Sequence, residues 1–210
     1  MNKIIRKFIS NKNILWPFFK KWLFQNFVIS KNSIFRCSSV QISGKGNVVS
    51  IESGAKISNC FFYIKGNNNT IIIDKNCVLN DVTFTMGNDN NIVCIGEGST
   101  FTGKTNLICL ENTKIIIGID CMFAFNINLR TGDHHPIFGN NGERINASRD
   151  IIIGNHCWIG QGATILKGSE IGNNSIVGCN SLVTKKINDE NVIIVGTPGR
   201  IVKKEIKWER

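Results

Sequence analysis

Aliphatic residues recur through most of this chain at intervals that belong to neither a helix nor a lone strand. Ile51, Ile73, Ile95 and Ile117 stand 22 residues apart, and each opens a similar phrase: Ile51-Glu-Ser-Gly-Ala55, Ile73-Asp-Lys-Asn-Cys77, Ile95-Gly-Glu-Gly-Ser99 and Ile117-Gly-Ile-Asp-Cys121. The phrase returns as Ile153-Gly-Asn-His-Cys157, 36 residues beyond Ile117. An apolar residue follows six after each opening Ile: Ile57, Leu79, Phe101, Phe123 and Ile159. From residue 153 the period tightens to six, with Ile153, Ile159, Ile165, Ile171, Val177 and Val183 all aliphatic. Small residues (Cys157, Ala163, Ser169, Ser175 and Ser181) come four positions after the first five of these.

Helices repeat at 3.6 residues and strands at 2, so a strict six needs another geometry. A coil of short strands and tight turns supplies it. Its aliphatic residues stack inside, its small residues sit where the backbone bends, and Gly or Asn provides the turn conformations. Stacked coils bury a continuous core that no single coil could. Ordinary hairpins do not enforce period six over five units. The 22-residue units read as the same coil with a short extra turn, placed in the Gly- and Asn-rich stretches 66–69 and 87–91. The predicted fold class is mainly β, a parallel β-helix solenoid.

One interruption stands out. The step from Ile117 to Ile153 leaves room for a loop of roughly 20 residues at 130–150. Long irregular loops on a regular scaffold are usually functional, and this one holds two of the three histidines, His134 and His135.

Charge changes the picture at one end. Residues 1–36 hold eight Lys and Arg (Lys3, Arg6, Lys7, Lys12, Lys20, Lys21, Lys31 and Arg36) and no acid, so they carry +8 of the net +10. They also hold eight of the 18 aromatic residues, including Trp16 and Trp22. This stretch is expected to be a short helical arm that caps the coil, with an electrostatic attraction to an anionic membrane surface or acidic glycan as a second role. Lys20 and Lys21 interrupt any signal-peptide apolar core, so the arm is expected to be retained and the protein to be cytoplasmic, with peripheral contact at the inner membrane face. No apolar run reaches the roughly 18 residues of a membrane span. The eight Cys show no CxxC and no zinc-finger spacing, which favours core thiols in a reducing compartment. The expected organisation is an arm at 1–36, a solenoid at 37–205 and a tail at 206–210.

The sequence resembles the hexapeptide-repeat, left-handed β-helix acyltransferases, most of all the sugar O-acetyltransferases of galactoside, maltose and capsular sialic acid types. The resemblance covers about residues 40–205. It rests on Asp133-His134-His135-Pro-Ile in the loop, Ile153-Gly-Asn-His-Cys-Trp158-Ile-Gly after it, Ile176-Val-Gly-Cys179-Asn-Ser-Leu-Val-Thr184-Lys185, and Gly196-Thr-Pro-Gly-Arg200. It implies a left-handed coil, a homotrimer whose loop reaches a neighbouring subunit, and acetyl-CoA as co-substrate without a metal. It implies a loop histidine as general base: the family's motif selects His135, and counting forward from Ile117-Gly118 selects His134. Trp158 matches a residue beside the base and thioester. Gln161, Cys179, Thr184 and Lys185 fall where the family lines the pantetheine and nucleotide, and Arg200 and Lys203 where it meets the CoA phosphates. Where galactoside enzymes carry an acceptor-binding Asn, this chain has Lys104, which suits an anionic acceptor such as a sialic acid. A glycan partner is expected, and no nucleic acid.

Other readings stay open at this point. An N-acetyltransferase of amino sugars and an antibiotic acetyltransferase share the motifs. A γ-type carbonic anhydrase needs three spaced zinc-binding histidines, whereas His134 and His135 are adjacent and His156 takes an outward position. A non-catalytic solenoid scaffold is the alternative of another class. No G-x-G-x-x-G unit is present, which sets the chain apart from acetyltransferases with an N-terminal Rossmann domain.

Overall fold

The computed structural model describes residues 27–210, together with the backbone of one two-residue strand, Lys7–Phe8. These residues form a parallel β-solenoid whose coils visit three sheets in turn. The first sheet begins with Phe27–Ile29 and Val48–Ile51 and ends with Lys186–Ile187. The second begins with Ile34–Arg36 and Lys56–Ser58 and ends with Ile193–Val195 and an antiparallel return strand, Arg200–Lys203. The third begins with Lys7–Phe8, antiparallel to Ser39–Ser43, and ends with Leu182–Val183. The molecule therefore has three long edges, at the 1–2, 2–3 and 3–1 corners.

The register is the one the periodicity predicts. Ile51, Ile73, Ile95, Ile117, Ile153 and Ile171 pair strand to strand along the first sheet. All six aliphatic positions of the hexads, and all five small positions, are buried. Identical aromatic positions stack directly: Phe62 on Phe84 at 4.6 Å and Phe101 on Phe123 at 4.2 Å. Coils approach closely enough to require Gly at some bends; a Cβ on Gly118 would lie 2.6 Å from the carbonyl oxygen of Gly154. At the 1–2 corner every coil holds one residue in the left-handed conformation: Asn32, Gly54, Asn76, Gly98, Asp120, His156, Asn174 and Asn191. Asn, Asp and Gly tolerate that conformation best.

The extra residues of the 22-residue coils lengthen the third sheet and widen the 3–1 corner. Asn47, Asn69 and Asn91 fill that corner from inside. Each side-chain oxygen accepts the backbone N–H of the residue 22 further on, at 2.9, 2.9 and 3.2 Å, ending at Thr113. In the 18-residue step from Ile153 to Ile171 the corner is tighter, and the smaller Ser169 takes the equivalent place.

One boundary needs correction. Residues 27–36, assigned to the arm from their charge and aromatic content, are already the first coil. Phe27–Ile29 and Ile34–Arg36 pair in register with Val49–Ile51 and Lys56–Ser58. The physical reason is that Phe27 and Phe35 turn inward, 6.2 and 6.0 Å from Phe62, and close the end of the core. The predicted helix, with Trp16 and Trp22, lies outside the described residues.

Candidate active site

The loop leaves the 3–1 corner after Ile127–Arg130 and returns at Ile151–Ile153. Its root continues the corner ladder: Thr131, fully buried, accepts the N–H of Leu110 at 2.9 Å and shares a 2.7 Å hydrogen bond with Thr113. Beyond the root, one amide organises the backbone. Asn146 donates to the carboxylate of Asp133 at 2.9 Å and to the carbonyl of His135 at 2.8 Å, and it accepts the N–H of Ile137 at 2.7 Å. Lys167, on the next coil, reaches across to the same Asp133 oxygen and donates to the carbonyl of Asn146 at 2.9 Å. The Lys167 ammonium holds the Asp133 carboxyl below its usual range. A second clamp joins loop to coil: Arg144 binds both carboxylate oxygens of Glu111 at 2.8 Å, and Ser148 donates to one of them at 2.8 Å. That clamp lowers the Glu111 carboxyl as well. Past the clamps, Ile137, Phe138 and Ile145 are exposed at the loop tip.

His134 and His135 both face solvent. They differ in backbone. His134 is left-handed, with φ 65°, whereas the carbonyl of His135 and the N–H of Ile137 are pinned by Asn146. The fixed position is that of His135. An exposed imidazole on a braced loop is able to accept a proton from a hydroxyl brought against it.

The remaining predicted residues fall on other edges. Gln161 and Cys179 lie exposed at the 2–3 corner, one coil apart, joined where Asn180 N–H donates to the carbonyl of Gln161 at 2.8 Å. Lys104 is exposed on the same corner two coils below, its carbonyl accepting the N–H of Ile127 at 3.1 Å. Thr184, Lys185 and Arg200 meet in a cleft of about 450 Å³, together with Lys186, at the end of the solenoid. This cleft forms because Gly196–Gly199 folds over the last strand of the third sheet, Gly199 N–H donating to the Leu182 carbonyl at 2.7 Å. Lys203 stands on the return strand opposite Ile193, outside that group. Trp158 is 38% exposed on the second sheet, beside Met122 and Ile176. Within one chain, the loop and Trp158 thus belong to different edges of the prism.

The sequence reading missed two features. Asn146 and Lys167 brace the loop through side-chain contacts that leave no periodic trace. The segment 204–210 was taken as a plain tail from residue 206, but it packs down the 1–2 corner across several coils. Lys204 pairs with Asp189 at 2.8 Å, Ile206 N–H donates to Asn191, Trp208 stacks on His156, and Arg210 pairs with Asp120 at 2.8 Å. One signal was legible: His156 stands in a turn position that Asn, Gly or Asp occupies in the other coils.

The family model for the bacterial transferase hexapeptide (six repeats) matches residues 150–185. The polysialic acid O-acetyltransferase of Neisseria meningitidis is 40% identical over 98 residues, 46% of each chain, so the chain aligns with about half the length of that relative. Solved structures extend the likeness. That of the polysialic acid O-acetyltransferase OatWY is 36% identical and aligns over 89% of each chain with a TM-score of 0.86. That of the polySia-specific acetyltransferase NeuO is 32% identical over 83% of this chain and 89% of the other, with a TM-score of 0.66.

Proposed function

This chain belongs to the hexapeptide-repeat acyltransferase family, and from that premise we propose that it is an O-acetyltransferase. It moves the acetyl group of acetyl-CoA to a hydroxyl of a sialic acid in a surface glycan. The observation that carries this reading is the match to OatWY over 89% of each chain, with the histidine loop present and braced. Lys104 adds a cation where an anionic acceptor would lie.

In this mechanism His135 takes the proton of the acceptor hydroxyl as its oxygen attacks the thioester carbonyl carbon. Imidazole is the side chain best suited to that task near neutrality. The tetrahedral intermediate collapses with cleavage of the carbon–sulfur bond, and the departing CoA thiolate recovers the proton from the imidazolium. Backbone N–H groups suffice for the oxyanion, so the step requires no metal. Lys167 and Asn146 do not touch the reactants; they hold the loop backbone from which His135 projects. Lys185, Lys186 and Arg200 present cations to the CoA phosphates in the end cleft, with Thr184 beside them, and Gln161 and Cys179 line the route of the pantetheine. Lys203, on the return strand, offers an outer phosphate contact.

Because the loop and Trp158 lie on different edges, the reading also requires a neighbouring copy. A homotrimer lets the loop of one chain meet the second sheet of the next, with the exposed Ile137 and Phe138 seated on the partner. The co-substrate places the reaction in the cytoplasm. The test is incubation with acetyl-CoA and a panel of sialylated, neutral and amino-sugar acceptors, resolved by mass. The mass gain of one acetyl group on sialylated acceptors, released by mild base as an ester, is the expected result. Modification of amines alone would move the assignment to N-acetylation.

A further inference from the structure

The segment 204–210 contains no strand, yet it is tied to the solenoid by ion pairs, hydrogen bonds and a ring stack. Trp208 lies face to face with the His156 imidazole, centroids 4.0 Å apart and planes 13° from parallel. Its indole N–H donates to the His156 carbonyl at 3.1 Å, and its own carbonyl lies 3.2 Å from His156 Nε2. The other ring nitrogen, Nδ1, is 2.7 Å from Asp120 Oδ2. Asp120 is the residue beneath His156 in the left-handed column of the 1–2 corner, so coil stacking itself brings the two together. Arg210 completes the attachment. It binds the second Asp120 oxygen at 2.8 Å, the Cys121 carbonyl at 2.8 Å and the Gly98 carbonyl at 3.3 Å. Two anchors, one aromatic and one charged, therefore converge on a single corner.

What the anchors flank is Trp158. It sits two residues after His156, where the corner opens into the second sheet, and its ring centroid is 6.0 Å from that of Trp208 with planes at 43°. A tilted pair at that distance is an attractive aromatic contact. One side of the Trp158 indole is thus walled by Trp208. His156 also has its Nε2 covered by the Trp208 carbonyl. Although its pairing with Asp120 resembles a catalytic dyad, its position serves the attachment and not proton transfer.

We propose that the segment 204–210 is part of the acyl-transfer site and that Trp208, held by His156 and Arg210, is a positioning residue that fixes the indole of Trp158. The proposal rests on the reading that Trp158 borders the thioester. It assigns work to a stretch that carries none of the repeat, and to the one histidine outside the loop.

The test uses the full chain with Trp208→Ala, Trp208→Phe and Arg210→Met. Three quantities are followed: turnover, as both transfer to sialosides and acceptor-free hydrolysis of acetyl-CoA; the KM for acetyl-CoA; and the Trp158 indole N–H cross-peak, assigned through Trp158→Phe. Misplacing a group beside the reacting atoms lowers rates by up to about 100-fold, and for Trp208→Ala the expected loss in turnover is about tenfold, with KM for acetyl-CoA and melting temperature unchanged and the Trp158 cross-peak shifted. Trp208→Phe keeps the stacked face and is expected to recover most of the rate; Arg210→Met falls between. Wild-type turnover in Trp208→Ala, or an unmoved Trp158 cross-peak, overturns the proposal. So does a rate loss that tracks a lowered melting temperature and is not rescued by Phe. A wild-type protein that hydrolyses acetyl-CoA but leaves every sialoside unmodified overturns the acceptor reading and leaves this one standing.

Discussion

The coils before the loop and those after it build one prism from different materials. Before it, 22-residue coils carry long strands in the third sheet and a wide 3–1 corner filled by the ladder of Asn47, Asn69 and Asn91. After it, an 18-residue step carries two- and three-residue strands and places Ser169 in the same corner. The ladder ends at Thr113 and Thr131, the root of the loop. The loop therefore departs where the coil changes length. Nearly every residue assigned to chemistry lies in the loop or beyond it, with Lys104 the exception. If the proposed site is right, the long coils serve as scaffold and the short coils as scaffold and site together, so substitutions on the two sides should separate stability from activity.

The largest separation is expected at Asn69. Asn69→Leu leaves the N–H of Asn91 and the carbonyl of Asn88 without their partner, and the side-chain amide of Asn91 with the Gly87 carbonyl alone. At about 1–3 kcal/mol for a buried group left unpaired, the loss should be several kcal/mol by denaturant unfolding, with normal turnover per folded molecule. Ser175→Ala in a short coil removes weaker bonds, at 3.1, 3.4 and 3.5 Å, and should cost roughly 1 kcal/mol. Equal costs would erase the distinction between the two stacks.

Lys167→Met should show the reverse profile. It frees Asp133 and one end of Asn146, so turnover should fall by roughly ten- to 100-fold with little change in melting temperature. The same brace gives a pH signature. Lys167 lowers the Asp133 carboxyl and Arg144 lowers that of Glu111, so the stabilisation of the loop is present above the ordinary carboxylate range, about pH 4. It is lost as pH falls through the depressed values. Limited proteolysis of the loop should increase on that descent, and less so in Lys167→Met.

The smallest effect concerns the thiols. Burial pushes Cys60, Cys77 and Cys109 up to about 11, and these should resist alkylation until unfolding. Cys37 and Cys179 are exposed and should react first. CoA should slow Cys179 several-fold by covering it and leave Cys37 untouched. Equal rates with and without CoA would remove Cys179 from the cofactor route.

How much of this was legible in the sequence depended on whether a residue's partner lies at a fixed step. Ile153 and its successors repeat because each stacks on the next coil, so the solenoid and its interruption could be read directly. The Phe27 coil was hidden because Lys31 and Arg36 dominate its composition, although Ile29 lies 22 residues before Ile51. Contacts such as Lys167 with Asp133 and Trp208 with His156 join segments of unrelated spacing, and only folding brings them together. The motif around His135 marked it as a candidate base; the amide that fixes its backbone, Asn146, carried no such mark.

The most direct test of the account compares His135→Ala with His134→Ala in steady-state acetyl transfer. Loss of a general base costs typically 10²–10⁴-fold in rate. His135→Ala is expected to lower kcat by that order with the KM for acetyl-CoA unchanged, while His134→Ala, on the unpinned left-handed residue, costs far less. A reversal of the two, or wild-type turnover in both, would contradict the assignment of the loop as the catalytic element.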